Sequence, residues 1–85
     1  MKSNLTQEFF ESEGNPEEVM QILTEIQTQT ILMRLEGYTL ASVGEQLAVS
    51  RERARQIEKE ALKKMGRYIT MKRREVDSES QKKGL

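Results

Sequence analysis

The chain contains no cysteine and no histidine, and only one proline, two phenylalanines and two tyrosines among its 85 residues. Without cysteine there is no disulfide framework and no thiolate metal site. Without histidine as well, the usual nucleophile–base pairs are missing. The carboxylates fall into no spacing typical of a metal or acid–base site, so neither an enzyme nor a cofactor is expected. No apolar run is long enough to cross a membrane. The first residues lack the basic-then-apolar order of a secretion signal, which points to an intracellular, cytoplasmic chain. Eighty-five residues suit one small domain with a thin core.

Formal net charge is zero, with 14 basic and 14 acidic side chains. Their order along the chain matters more than the sum. Residues 1–49 hold two basic and eight acidic side chains, a net of −6. Residues 51–74 hold ten basic and three acidic ones, a net of +7. Residues 75–85 return to −1, with two basic and three acidic. Such polarity suggests that one half meets a polyanion, and the basic half coincides with the motif below.

Residues 1–15 read as a flexible acidic N-terminal arm, or a short helix, ahead of the domain. Phe9 and Phe10 are its large apolar pair; docking onto the domain is preferred over contact with a partner. Pro16 suits the first turn of a helix capped by Asn15. Val19, Ile22, Leu23 and Ile26 recur at helical spacing as core, or else as a homodimer face. The apolar face shifts around Gln27-Thr28-Gln29, where a break between two helices is preferred over one continuous helix, and Gly37 stops the segment.

Thr39 and Ser50 are helix caps, and between them Leu40, Val43 and Leu47 face inward. Gly44 has no side chain, so another helix is expected to approach closely there, and its helix-propensity cost agrees with something packing against it. The last helix is expected from about Arg51 to Tyr68 or beyond, with Ala54, Ile57, Ala61, Met65 and Tyr68 in one stripe. Residues 71–85 lack apolar periodicity and are expected to be a disordered tail, which leaves residues 16–70 as the domain. The fold expected is all-α: a small bundle of four to five helices ending in a helix-turn-helix.

The second helix of that unit carries Arg51, Glu52, Arg55 and Gln56 in its first turns. Arginine donates two bonds to guanine in the major groove, glutamine pairs with adenine, and glutamate accepts from cytosine. These four are the candidate base-contacting residues. Ser50, Arg53, Lys59, Lys63 and Lys64 are the candidate contacts to the DNA backbone.

Residues 38–65 resemble region 4.2 of bacterial sigma-70-type sigma factors. The likeness rests on the Arg-Glu-Arg-x-Arg-Gln-Ile-Glu core at 51–58, followed by Ala61-Leu62-Lys63-Lys64. Residues 16–37 resemble region 4.1 more weakly, through Ile31-Leu32-Met33-Arg34-Leu35. The resemblance implies recognition of the promoter −35 element and docking on the β flap of RNA polymerase. It places Arg51, Glu52, Arg55 and Gln56 at the base-contacting positions and Arg53 near the DNA backbone. Two residues depart from the pattern: Ala54 stands where a larger apolar residue is usual, and Ala48 where glycine is frequent. A left-handed Ala48 would carry about 1 kcal/mol of strain. Nothing here resembles the other sigma regions, so a complete sigma factor is not expected.

The expected function is therefore a small transcription regulator that binds double-stranded DNA, in the nucleoid, and touches RNA polymerase. The alternative is a protein-interaction module. It would bind the β flap or modulate a host sigma factor through the acidic half of the chain, without specific DNA reading.

Overall fold

The computed structural model describes the backbone of residues 4–13 and 16–84, and the side chains of residues 4–12 and 18–72. Five helices follow one another: α1 (Leu5–Glu13), α2 (Pro16–Met20), α3 (Glu25–Leu35), α4 (Leu40–Leu47) and α5 (Arg51–Gly84). There is no strand among the described residues. The all-α architecture is the one expected. No described helix is long and apolar enough to cross a membrane.

The core is small. Val19, Ile31, Ala61 and Met65 form its centre, covered by Phe9, Phe10, Leu23, Leu35, Leu62, Tyr68 and Ile69. Ala54 and Ile57 continue the buried stripe of α5 towards α4. Of the four residues read as core or dimer face, Val19 is buried, Ile22 and Leu23 are half-buried and Ile26 is exposed.

Residues 4–13 are not a free arm. Asn4 caps α1: its Oδ1 accepts from the Gln7 N–H at 2.9 Å, and Gln7 Oε1 accepts from the Asn4 N–H at 3.1 Å. This reciprocal pair satisfies two donors that a helix start leaves open. The same side chains then reach across to α3. Asn4 Nδ2 donates to the Arg34 carbonyl at 2.7 Å, and Gln7 Nε2 to the Leu35 carbonyl at 3.0 Å. Those carbonyls close the C-terminal end of α3, where intrahelical partners run out. Phe9 and Phe10 meet edge to face, 5.3 Å between centroids, and pack on the core. The expectation of a flexible arm is thus corrected, and docking through the phenylalanines is what is found.

The break between the second and third helices falls at residues 21–24, earlier than expected. Thr24 is the cap: its side chain accepts from the Gln27 N–H, and Gln27 Oε1 accepts from the Thr24 N–H. Gln27 is therefore inside the first turn of α3 rather than in a link, and it is buried. The expected cap Asn15 lies outside the described residues. At the other end, Gly37 adopts φ 98°. Its N–H donates to the Arg34 carbonyl and that of Tyr38 to the Met33 carbonyl, both at 3.0 Å. The left-handed residue lets the chain reverse and satisfy these carbonyls, which glycine does without strain.

Helix α5 runs beyond Tyr68, as the expectation allowed, and its backbone is helical to Gly84. The expectation of a disordered tail from residue 71 rested on the missing apolar periodicity. Periodicity reports packing, not helix formation. The lysine, arginine, glutamate and glutamine that dominate there are good helix formers, and extending a formed helix needs no new nucleus.

One polar cluster ties the bundle together. Glu58, on the inner side of α5, is only 2% exposed. Its Oε2 accepts from Arg34 Nε at 2.8 Å and from Thr6 Oγ1 at 2.6 Å. Arg34 Nη1 donates in turn to the Tyr38 carbonyl at 2.7 Å. Helices α1, α3 and α5 and the link into α4 are joined in one chain of bonds. No described buried side-chain polar atom is left without a partner.

Candidate nucleic-acid interface

The helix-turn-helix is built from α4, three linking residues and the start of α5. Thr39 caps α4, its Oγ1 accepting from the Ser42 N–H at 3.1 Å. Ser50 caps α5, its Oγ accepting from the Arg53 N–H at 3.0 Å. Between them Ala48 takes φ 57°, ψ 42°, the left-handed conformation. The chain then folds back, and the Val49 N–H donates to the Gly44 carbonyl at 2.8 Å. A Cβ on Gly44 would lie 2.7 Å from the Val49 carbonyl oxygen and 3.2 Å from that of Ser50. Glycine is required at position 44 because the backbone of the turn, rather than the side of a neighbouring helix, lies on it.

Ala48 holds a conformation that costs an L-residue about 1–2 kcal/mol. Replacing it with glycine removes that cost but loosens the unfolded chain. The expected net effect of Ala48→Gly is a gain of about 0.5–1 kcal/mol. Urea unfolding of the two chains side by side checks the sign; an unchanged or lower midpoint would contradict it.

Every candidate contact residue from Ser50 to Lys64 is exposed: Ser50, Arg51, Glu52, Arg53, Arg55, Gln56, Lys59, Lys63 and Lys64. They do not share one face. Helical stepping of about 100° per residue places Arg51, Glu52, Arg55, Gln56, Lys59 and Lys63 on one broad outward arc. Arg53 and Lys64 lie roughly half a turn away from Arg55. Lys64 also faces α3, where its Nζ donates to Gln27 Oε1 at 3.2 Å. The four base-contact candidates are thus together at the N-terminal end of α5, with Lys59 and Lys63 on the same arc further along. Lys64 belongs to a different flank.

Arg51 sits beside Thr39, Leu40 and Ala41 at the amino end of α4, lining a shallow hollow with Arg34. The first N–H groups of a helix carry positive partial charge and suit an anion. This adds a positive element to the head that the charge pattern alone did not locate; the cap residue Thr39 was its sequence signal.

The base-contact candidates also interact with one another. Arg55 Nη2 donates to Glu52 Oε1 at 2.6 Å, and Arg55 Nε lies 3.1 Å from Glu52 Oε2. This is a two-pronged pair on the surface, with half or more of each side chain exposed. The hydrogen bond from Arg55 holds the Glu52 carboxyl below the usual carboxylate range, and Arg51 adds to the effect. The same bond raises Arg55. Arg51, Arg53 and Gln56 have no such partner in the described hydrogen bonds and ion pairs.

No group of three or more acidic side chains able to hold a metal ion occurs among the described residues. What the arrangement offers is hydrogen bonding: forked donors, an amide and a carboxylate on the exposed side of a helix end whose other side packs on α4. Side chains of these types are the ones that make base-edge and phosphate contacts in protein–DNA complexes generally.

Residues 19–66 match the family model described as Sigma-70, region 4. No curated protein and no solved structure matches the chain. The match covers α3, α4, the turn and the first part of α5, and it leaves α1 outside.

Proposed function

The chain belongs to the Sigma-70 region 4 family, and from that premise we propose that it is a DNA-binding transcription regulator reading the major groove with the first turns of α5. The observation that carries this reading is the gathering of Arg51, Glu52, Arg55 and Gln56 on the outward face of a capped helix end. In a helix-turn-helix that end enters the groove. Ser50, Lys59 and Lys63 serve as backbone contacts beside it, and Arg53 reaches a phosphate on the other wall of the groove. RNA polymerase, through its β flap, is the protein partner, and the complex works in the cytoplasm on the nucleoid. No chemical reaction is assigned to the chain.

The second reading is a protein-interaction module that modulates polymerase or a host sigma factor without selecting a DNA sequence. The exposed acidic side chains of the first half favour it: Glu8, Glu11, Glu18, Glu25, Glu36 and Glu45. The arrangement at the start of α5 outweighs this, since a module that ignores DNA has no use for forked donors there.

Two substitutions separate reading from positioning. Arg55→Ala or Gln56→Ala should weaken the preferred duplex about tenfold or more and relax its sequence at one or two base pairs. Lys63→Gln should weaken all duplexes alike and lower the salt slope by about 0.9. Fluorescence anisotropy titrations on a preferred and a scrambled duplex distinguish the two patterns. If the alanine variants keep wild-type selectivity, those residues do not read bases.

A further inference from the structure

The Glu52–Arg55 pair has a consequence for selectivity, which rests on the DNA-reading function above. In the unbound chain the guanidinium fork of Arg55 is already occupied by the Glu52 carboxylate through contacts of 2.6, 3.1 and 3.2 Å. A forked donor takes any acceptor that offers two oxygens or nitrogens in its plane. A carboxylate does so, a guanine edge does so through O6 and N7, and a phosphate does so everywhere along the duplex. An unpaired Arg55 would therefore be captured by phosphates of any sequence. Arg55 paired to Glu52 is satisfied, and the carboxylate repels phosphates approaching from the same side.

We propose that Glu52 is a specificity-determining residue that acts by holding Arg55 until a guanine and a cytosine can replace both halves of the pair at once. The exchange leaves neither group without a partner. Arg55 gives up its three contacts with the carboxylate and gains two bonds on guanine. Glu52 gives up the guanidinium and accepts from the cytosine amino group. Neither a phosphate nor an A·T pair supplies both, so leaving the pair there strands one charged group.

The geometry limits where the two bases stand. The residues are three apart on α5, about 4.5 Å along its axis, with side-chain bases about 5–6 Å apart. Base pairs are about 3.4 Å apart. The guanine and the cytosine must lie in one base pair or in two neighbouring ones. Arg51 and Gln56 are not engaged in this pair and read their own bases independently of it. The lowered carboxyl of Glu52 agrees with a pair that stays formed at neutral pH.

The test is a double-mutant cycle: wild type, Glu52→Gln, Arg55→Ala and the double variant, titrated on a preferred and a scrambled duplex at several salt concentrations. Both residues are exposed, so all four chains should melt at similar temperatures. Glu52→Gln is expected to tighten scrambled DNA severalfold and to steepen its salt slope by about 0.9, as Arg55 turns to a phosphate. The ratio of preferred to scrambled binding should fall about tenfold. In the Arg55→Ala background, Glu52→Gln should have a much smaller effect on scrambled DNA, because there is no fork left to release. The same gain in both backgrounds would mean plain charge repulsion and would overturn the proposal. So would an unchanged ratio in Glu52→Gln, with the DNA-reading function intact. A wild-type chain that prefers no sequence overturns that function, and the proposal with it.

Discussion

Glu58→Ala is expected to destabilise the fold by about 3–5 kcal/mol, a large share of what a domain of this size has. The reason lies in what the substitution leaves behind. Glu58 is 2% exposed, and Arg34 beside it keeps only 12% of its side-chain surface. Removing the carboxylate leaves a guanidinium covered by protein and facing no anion. It also strands the Thr6 hydroxyl, which donates to the same oxygen. A loss of this size corresponds to a fall in melting temperature of about 12–40 °C, at about 4–8 °C per kcal/mol. Thr6→Val keeps the ion pair and removes one bond to it, so its cost should be smaller, about 1–3 kcal/mol. An Arg34→Met, Glu58→Leu double variant should recover much of the loss, because replacing a whole buried pair with apolar side chains is often neutral. Thermal unfolding of the four chains gives the order. A Glu58→Ala protein within 1 kcal/mol of wild type would show that the carboxylate is not held as described.

Gly44→Leu should be the second large effect, and even Gly44→Ala should destabilise. On an open helix face alanine gains up to about 1 kcal/mol over glycine. Here the added carbon would meet the Val49 carbonyl oxygen at 2.7 Å and Ser50 backbone atoms at 3.2–3.3 Å. Those are main-chain atoms of the turn and of the α5 cap, which cannot swing aside as a side chain can. Overpacking of this kind costs about 1–3 kcal/mol. The leucine variant should reach the top of that range or pass it. Its further consequence is functional. Displacing Val49 and Ser50 moves the start of α5, where the reading residues sit, so sequence-selective binding should vanish even at temperatures where the fold persists. A melting curve and a binding titration on the same sample check both parts. A Gly44→Leu chain that melts and binds as wild type would contradict the turn geometry.

The parts legible in the sequence are those fixed locally. Thr39 and Ser50 announce the starts of α4 and α5, and the stripe from Ala54 to Met65 repeats at the helix period, so both helices and the outward placement of Arg55 and Gln56 follow from spacing alone. The Schellman-type end at Gly37 was equally local. The break before α3 was legible in principle: Thr24-Glu25-Ile26-Gln27 is a capping box, and a reading of apolar spacing passes over it because its information is polar. Phe9 and Phe10 pointed to the docking of α1, but its polar partners were not legible. Asn4, Thr6 and Gln7 find partners 28 to 52 residues away, and nothing in a run of nine residues names them. Glu58 was hidden for a related reason. It lies beside the apolar stripe, and a charged residue there is ordinarily solvated unless a distant cation covers it. Arg34 is that cation, and the two are joined only once α3 lies on α5. At the interface, spacing alone grouped Lys64 with Lys59 and Lys63 as candidate backbone contacts; its bond to Gln27 on α3 puts it on a different flank.

The central claim is that this chain selects a DNA sequence through the first turns of α5. Selection by the full 85-residue chain from a pool of randomised duplexes, carried out with and without RNA polymerase, tests it most directly. The account predicts enrichment of one short sequence containing a guanine and a cytosine in the same or neighbouring base pairs, and loss of that enrichment with Arg55→Ala. Enrichment that needs polymerase would still support it, as a reading head that binds weakly alone. A pool that stays random in both arms, while the chain binds polymerase, would contradict it and establish the interaction module instead.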